Sequence, residues 1–208
     1  LGLLMKEYQY PVAIAGAHGK TTTTSMVSLI MENAGLDPTL LIGGELDQIG
    51  GNVKVGKSPY LVTEACEYRE NFLKFHPYAA VVLNIDRDHL DFFRDFGHIK
   101  SAFEGFVKLV PHYGWVVAYQ GDPALMDIVS RLSCNVITYG TDEDAKVTAK
   151  DISFDANGCA NFDLYVEEKY QDRIRLAIPG EHNVLNALAA ISVGRIFEID
   201  MNTIRSMS

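Results

Sequence analysis

The chain has 208 residues, of which 48% are hydrophobic and 22% charged, and its formal net charge is −9. This composition is typical of one globular domain with a sizeable core. Its Lys and Arg residues form no cluster, which argues against nucleic-acid binding, because that function needs a basic face. An anionic ligand would need local positive charge from a lysine, a helix N-terminus or a metal ion.

Cysteine usage and hydropathy indicate the cellular compartment. Cys66, Cys134 and Cys159 lie far apart and form no C-x-x-C pair, as is typical of proteins from reducing compartments. No apolar stretch approaches the length of about 18 residues that spans a membrane, and no signal peptide is visible. We therefore expect a cytoplasmic protein that binds neither membranes nor nucleic acid.

Up to Gly140, strand-like apolar runs alternate with segments of helical period. The first run, "YPVAIAG", closes at Gly16, and a helix is predicted from Lys20 to about Gly35, which suits the position after a helix. The other predicted elements, in chain order, are strands at "TLLIGG", at Tyr60–Thr63 ending on Glu64 and at "YAAVVLNID" ending on Asp86, a helix at "HIKSAFEGFVKLV", a strand at "GWVVAY", a helix at "DPALMDIVSRL" and a strand at "NVITYG". This alternation predicts an α/β fold with a doubly wound, mostly parallel sheet.

After Gly140 the pattern changes. The segments "KVTAKDISFD", "CANFDLYVEE" and "RIRLAIPG" alternate polar and apolar residues and predict a small antiparallel β-subregion, before "EHNVLNALAAISVGRIF" predicts a closing helix. We expect residues 1–208 to form a single domain. Because the chain opens without methionine and stops within a pattern, we expect a piece of a longer protein, with 1–10 and 198–208 as linkers to further domains.

The loop after the first predicted strand has the composition of a phosphate-binding site. It runs from Gly16 to Thr21 with the sequence "GAHGKT" and leads directly into a predicted helix. In a phosphate cradle, loop N–H groups face the anion, the lysine reaches the outer phosphates and the hydroxyl binds Mg²⁺. The strict G-x-x-x-x-G-K-[ST] pattern fails, since Ile14 stands at the first glycine position. A plain glycine turn with a solvated Lys20 would leave the Gly-Lys-Thr-Thr order unexplained.

Two carboxylates are predicted at the carboxyl edge of the sheet. Glu64 and Asp86 each end a predicted strand, so each is either a solvated strand end or a ligand of Mg²⁺ together with Thr21. The segment "NIDRDHLD" adds two further aspartates around His89. On chemistry alone His89 is a weak metal candidate, because Mg²⁺ prefers oxygen ligands.

Four motifs in this order, "AGAHGKTTTT", "EACEYRENFL", "NIDRDHLD" and "PGEHNVLNALAA", resemble the central ATP-binding domain of the Mur ligases. These are cytoplasmic ATP-dependent enzymes that form amide bonds in peptidoglycan synthesis. The resemblance covers about Pro11 to Asp200, and it implies a parent whose other domains hold a UDP-sugar and an amino acid. "DPTLLIGGELDQIGGN" and "EACEYRENFL" favour the members that join L-alanine to UDP-N-acetylmuramate over later ligases and folylpolyglutamate synthetases.

The resemblance also implies which residues bind ATP. They are Gly16, Ala17, His18, Gly19, Lys20, Thr21, Thr22, Asn183 and Asn186. The loop and Lys20 would hold the phosphates, and the two asparagines, three residues apart on one helix face, would lie on the adenine side. From the residues alone, the asparagines could instead be exposed helix-start residues. His18 could equally touch substrate or only shape the loop. His182 lies in the same motif as the asparagines, and a capping or packing role fits it equally well.

For the metal, the resemblance implies that Thr21 and Glu64 hold one Mg²⁺, and that Glu64 and His89 hold a second near the acceptor. Lys20, Glu64 and His89 are then the expected catalytic residues. Glu104 stands where several relatives have a carbamylated lysine, so either it supplies a carboxylate or that ligand is absent.

Three other positions depart from the family pattern. Ala17 stands where threonine is frequent, and Cys66 and Tyr68 replace residues that are often Asp and Ser.

The implied reaction moves the γ-phosphoryl group of ATP to an acceptor carboxylate, and the amine of L-alanine then attacks the acyl phosphate. The alternatives are a switch-type NTPase with Asp86 in the Walker-B position, a P-loop nucleotide-binding module without ligase activity, and the same chemistry on another acceptor. A guanine-specific N-K-x-D motif is absent. We expect the isolated chain to bind ATP weakly and to ligate nothing.

Overall fold

The computed structural model describes residues 1–47, 50–86 and 92–205. The strands in these ranges are β1 Tyr10–Ala15, β2 Thr39–Leu46, β3 Gly51–Lys54, β4 Tyr60–Glu64, β5 Ala79–Val82, β6 Trp115–Tyr119, β7 Asn135–Gly140, β8 Val147–Phe154, β9 Cys159–Val166 and β10 Lys169–Pro179. The helices are α1 Gly2–Met5, α2 Lys20–Asn33, α3 Phe96–Val107, α4 Pro123–Val129, α5 His182–Ile196 and α6 Met201–Arg205, and a 3₁₀ segment covers Tyr68–Lys74. Within the described ranges, none of the helices has the length and apolarity needed to cross a membrane.

All the described strands belong to one sheet with the order β10-β9-β8-β7-β6-β5-β1-β4-β2-β3. From β8 to β2 each strand is parallel to its neighbour, whereas β3, β9 and β10 pair antiparallel. The predicted α/β class with a mostly parallel sheet is therefore confirmed. The antiparallel subregion is continuous with the parallel part, because β8 pairs in parallel with the end of β7 at Tyr139 and Val147.

Strand β5 ends at Val82, so the prediction that this strand extends to Asp86 is wrong. Beyond Val82 the Leu83 N–H still donates to the Ala15 carbonyl at 2.9 Å, whereas the Ile85 N–H donates to Oδ2 of Asp122 at 2.9 Å and not to a neighbouring strand. Asp86 consequently lies on the connection after the strand.

Polar side chains set the starts of two helices. Oδ1 of Asp122 accepts hydrogen bonds from the N–H groups of Ala124 and Leu125 at 2.9 and 3.0 Å, and so caps α4. Oδ1 of Asp95 accepts from the His98 N–H at 2.8 Å and caps α3. Such caps satisfy backbone donors that the helix itself leaves without partners.

The two faces of the sheet carry separate apolar clusters. Val12 and Ile14 of β1 pack with α2 and α5, whereas Ala13 and Ala15 pack with α3 and α4. All four side chains are fully buried, as expected of a parallel strand with helices on both faces. Each large aliphatic side chain buried in this way contributes about 1.5–3 kcal/mol.

The carboxyl ends of the parallel strands meet at one edge of the sheet. Strand β1 ends at Ala15, directly before the glycine loop, and β4 ends at Glu64. Doubly wound sheets bind their ligands at this edge. The fold therefore brings the loop and the first predicted carboxylate to the same side of the molecule.

Candidate functional site

The loop between β1 and α2 requires glycine at two positions. Gly16 and Gly19 have φ angles of +146° and +87°. A Cβ at Gly19 would lie 2.5 Å from Oδ1 of Asn186, and a Cβ at Gly16 would lie 3.0 Å from the Cβ of Leu83. Only glycine allows the backbone to take this path at such close approach.

Helix α2 begins with backbone donors that face out of the helix end. The first helical hydrogen bond runs from the Thr23 N–H to the Gly19 carbonyl at 2.9 Å. The N–H groups of Lys20, Thr21 and Thr22 precede this bond, and in the described structure no side chain caps the helix start. A glycine loop followed by such a helix end is suited to binding an anion.

The ammonium group of Lys20 is held inside the loop. It donates to the carbonyl of Gly16 and, at 3.3 Å, to the carbonyl of Ala17. It also lies 3.3 Å from Oε2 of Glu67. The Lys20 side chain is only 18% exposed, so it is not a solvated surface charge.

Glu67 is a site residue that the sequence analysis missed. Its side chain is 3% exposed, and a carboxylate this buried is expected to have a cationic partner, which here is Lys20. Glu67 follows β4 by three residues in the segment "EACE". The signal in the sequence was this second acidic residue after Glu64, but no periodic pattern indicated that it turns inward.

Glu64 and Thr21 lie on either side of a pair of glycines in β2. The Gly43 N–H donates to Oε1 of Glu64 at 2.7 Å. A Cβ at Gly43 would lie 2.8 Å from both carboxylate oxygens, and a Cβ at Gly44 would lie 3.0 Å from Cγ2 of Thr21. The two glycines therefore let the carboxylate and the hydroxyl residue approach the same stretch of β2. The sequence analysis missed this role of the double glycine in "TLLIGG".

Two cavities lie at the start of α5, and the first of them also borders the loop. The first has a volume of about 170 Å³ and is lined by His18, Gly19, Leu83, Asn84, Tyr119, Tyr139, His182, Leu185 and Asn186. The second, of about 490 Å³, shares some of these residues and adds Thr141, Ile152, Glu181 and Val184. Burial raises the pKa of the Tyr139 hydroxyl well above its usual range, with smaller contributions from Tyr119 and Asp122, so the Tyr139 side chain stays neutral.

The two asparagines of α5 are buried and linked to each other. Nδ2 of Asn186 donates to Oδ1 of Asn183 at 2.9 Å, and Nδ2 of Asn183 donates to the carbonyl of Pro179 at 2.8 Å. The hydroxyl of Thr23 donates to Oδ1 of Asn186 at 3.3 Å, which joins α5 to α2. Asn186 lines the first cavity, whereas Asn183 fixes the position of Asn186. They are therefore not exposed helix-start residues.

One predicted ligand, Glu104, does not join this group. His89 and the two aspartates beside it lie outside the described residues. Glu104 forms ion pairs with Lys108 and Arg131 on the surface, near the end of α4. The glycine loop lies near the other end of this helix, its start. Within the described ranges, His, Cys, Asp and Glu form no group of three or more that could hold a metal. Of the predicted metal ligands, Glu64 lies against Gly43 and Thr21 against Gly44 of the same strand.

The fold and the loop together define a doubly wound α/β domain with a glycine loop and an uncapped helix start at its carboxyl edge. Residues 14–194 match the family model of the Mur ligase middle domain, and the chain belongs to this family.

Named relatives agree with this assignment. The chain is 52% identical over 200 residues to a UDP-N-acetylmuramate–L-alanine ligase of Caldanaerobacter subterraneus, with 96% of this chain and 44% of the relative covered. It is 54% identical over 193 residues to a ligase of the same name from Acetivibrio thermocellus, with 92% and 41% covered. The chain thus spans less than half the length of the curated relatives it matches.

Solved structures show the same fold. The UDP-N-acetylmuramate–alanine ligase of Thermotoga maritima has a TM-score of 0.85 at 28% identity, with 99% of this chain and 45% of that chain covered. A UDP-N-acetylmuramate:L-alanyl-γ-D-glutamyl-meso-diaminopimelate ligase from Neisseria meningitides has a TM-score of 0.86 at 30% identity, with 98% and 66% covered.

Proposed function

We propose that this chain is the ATP-binding domain of a cytoplasmic ligase that joins L-alanine to UDP-N-acetylmuramate in peptidoglycan synthesis. The observation that carries the proposal is the ammonium of Lys20, held in a glycine loop at the uncapped start of α2. The names of relatives that are more than half identical support the choice of acceptor and amine.

The residues of the loop have defined tasks in this reaction. A carboxylate attacking a triphosphate needs its charge balanced, so catalysis depends mainly on positioning and electrostatics. Lys20 would leave its loop carbonyls for the outer phosphates, and the N–H groups of Lys20 to Thr22 would bind phosphate oxygens. The γ-phosphoryl group passes to the acceptor carboxylate with loss of ADP. The amine then displaces phosphate from the acyl phosphate and forms the amide.

Thr21 and Glu64 are the proposed ligands of one Mg²⁺. Thr21 and Glu64 offer hydroxyl and carboxylate oxygens, the ligand types that Mg²⁺ prefers, on either side of Gly43 and Gly44. When bound there, the ion would neutralise charge on the outer phosphates. Gly43 orients the carboxylate through its N–H group. His89 stays a proposed ligand of a second ion.

The first cavity suits the adenosine part of the nucleotide. It lies next to Gly19, and its walls combine the neutral Tyr139 and Leu185 with the amide of Asn186. Apolar and aromatic walls with a few polar groups are typical of sites for flat, neutral rings. The proposed nucleotide would therefore extend from the phosphate loop toward the start of α5.

The test is phosphate release by the full-length protein that contains this chain. With ATP and UDP-N-acetylmuramate, we expect phosphate release to depend on added L-alanine. Lys20→Ala should reduce the rate at least about 100-fold, the scale on which one preorganised electrostatic contact acts. Lys108→Ala, which removes a 59% exposed lysine directly after α3, is the matched control and should retain the wild-type rate.

The alternatives give different results in this assay. Phosphate release from ATP without any acceptor would favour a switch-type NTPase. No release with any acceptor and amine, despite ATP binding, would favour a nucleotide-binding module without ligase activity. Near-normal turnover by the Lys20 variant would contradict the assignment of the loop.

A further inference from the structure

The side chain of Asn84 binds both the backbone N–H and the backbone carbonyl of His18 in the phosphate loop. Its Oδ1 accepts a hydrogen bond from the His18 N–H at 3.1 Å, and its Nδ2 donates to the His18 carbonyl at 3.1 Å. Asn84 follows β5 and lies 66 positions from His18 in the sequence. This contact is therefore a tertiary link between two loops and not a local turn.

We propose that Asn84 is a positioning residue of the phosphate loop and acts through the backbone of His18. Holding this peptide keeps the loop open, so that the N–H groups of Lys20, Thr21 and Thr22 face the triphosphate. The proposal rests on the proposed function of the loop as a triphosphate site. It assigns no contact between Asn84 and the reacting atoms.

The chemistry of the contact requires a carboxamide. A carboxamide carries an acceptor and a donor on one rigid plane, so it can bind the N–H and the C=O of the same residue. Aspartate offers the acceptor alone at neutral pH, and alanine offers neither group. Because each side-chain bond satisfies a backbone group of the loop, both bonds restrict the conformations of that loop.

Asn84 itself is held by its neighbours. The next residue, Ile85, donates its N–H to Oδ2 of Asp122 at 2.9 Å, while Oδ1 of Asp122 caps α4. On the other side, a Cβ at Gly16 would lie 3.3 Å from Oδ1 of Asn84. A chain of contacts therefore runs from the start of α4 through Asn84 to the glycine loop.

The first measurement uses no ligand. Amide hydrogen exchange at His18 in this chain should be about tenfold or more faster in Asn84→Ala than in the wild type, because a hydrogen bond of ordinary strength is lost. Asn84→Asp keeps the acceptor and should keep most of the protection of that amide. Asn135→Ala is the matched control, because its amide binds the Gly114 carbonyl at the opposite edge of the sheet.

The second measurement compares the dissociation constants of ATP and adenosine for the same variants. Because Asn84 also lines the cavity proposed for adenosine, we expect Asn84→Ala and Asn84→Asp to weaken adenosine binding by no more than about threefold, and ATP binding about tenfold further than that. The control should bind both as the wild type does. A purely structural role would weaken both ligands together.

The outcomes separate the two proposals. If the wild type binds ATP and Asn84→Ala binds it equally well, or if His18 exchange is unchanged, the role of Asn84 is contradicted. The same holds if ATP and adenosine weaken in parallel. If the wild type binds neither ATP nor adenosine, the proposed function itself is contradicted.

Discussion

At the scale of single residues, Glu64 and Lys20 reach the same edge of the sheet but have different surroundings. Glu64 ends β4 and is oriented by the N–H of Gly43 at 2.7 Å. Lys20 is bound to loop carbonyls and to Glu67. The first arrangement suits the role proposed for Glu64 toward a cation, and the second suits the role proposed for Lys20 toward an anion.

Replacing Glu64 by Gln tests its role toward Mg²⁺. The amide oxygen of Gln can still accept from Gly43, so the local backbone should persist while the negative charge is lost. We expect ATP affinity without Mg²⁺ to stay within about twofold, and the gain on adding Mg²⁺ to fall about tenfold, the scale of one charge-assisted contact. The measurement is a titration of this chain with ATP in EDTA and in Mg²⁺.

Glu104→Gln is the control for the Glu64 variant. Glu104 pairs with Lys108 and Arg131 on the surface, and Lys108 lowers the pKa of its carboxyl. This variant should keep the full effect of Mg²⁺. Equal loss in both variants would contradict a specific role for Glu64.

The sequence indicated some of these residues and not others. Lys20 and Glu64 could be predicted because each is marked locally, by a glycine loop before a helix and by the end of an apolar run. Glu67, Gly43 and Asn84 could not, because their partners lie far away in the chain and meet only after folding. Their roles depend on which strands are neighbours, which periodicity does not reveal.

At the scale of elements, α2 begins and ends at glycines with positive φ. Gly19 precedes its first turn at +87°, and Gly35 follows its last turn at +71°. A Cβ at Gly19 would meet Asn186, whereas a Cβ at Gly35 would meet nothing within 4 Å. The two positions share a conformational requirement and differ in steric surroundings.

Alanine substitution at Gly19 and at Gly35 separates the cost of the positive φ angle from the cost of the steric clash. Gly35→Ala should lower the free energy of unfolding by about 1–2 kcal/mol, the cost of a left-handed conformation for an L-residue, and should keep ATP binding. Gly19→Ala adds a clash with Asn186 and should also abolish ATP binding. Chemical unfolding measures the change in stability of each variant, and titration with ATP measures its affinity. Wild-type ATP affinity in Gly19→Ala would show that the loop does not need its observed path.

Helices and strands were predicted better than their ends and their neighbours. The start of α2 at Lys20 and the end of β4 at Glu64 agree with the sequence pattern. The predicted end of β5 does not agree, and the Ile85 N–H donates to the side chain of Asp122 and not to a neighbouring strand. The α1 helix was not predicted, because four residues are too few to show a helical pattern of apolar positions.

At the scale of the whole molecule, one sheet joins the loop, the two cavities and the antiparallel strands. Ile152 of β8 and Glu181 before α5 line the larger cavity together, which brings the β8–β10 part next to the loop edge. The matched relatives are more than twice as long as this chain. The acceptor and the amine are therefore proposed to bind in parts of the parent protein beyond this domain.

The most direct test of the central claim follows the backbone amide resonances of this chain during titration with ATP, with adenosine as the control ligand. We expect ATP to cause its largest shifts from Lys20 to Thr22, and adenosine to leave these three amides unchanged while shifting those around Tyr139 and Asn186, which line the first cavity. ATP shifts that avoid these three amides, or shifts of equal size there with adenosine, would contradict the account of a triphosphate bound at the start of α2.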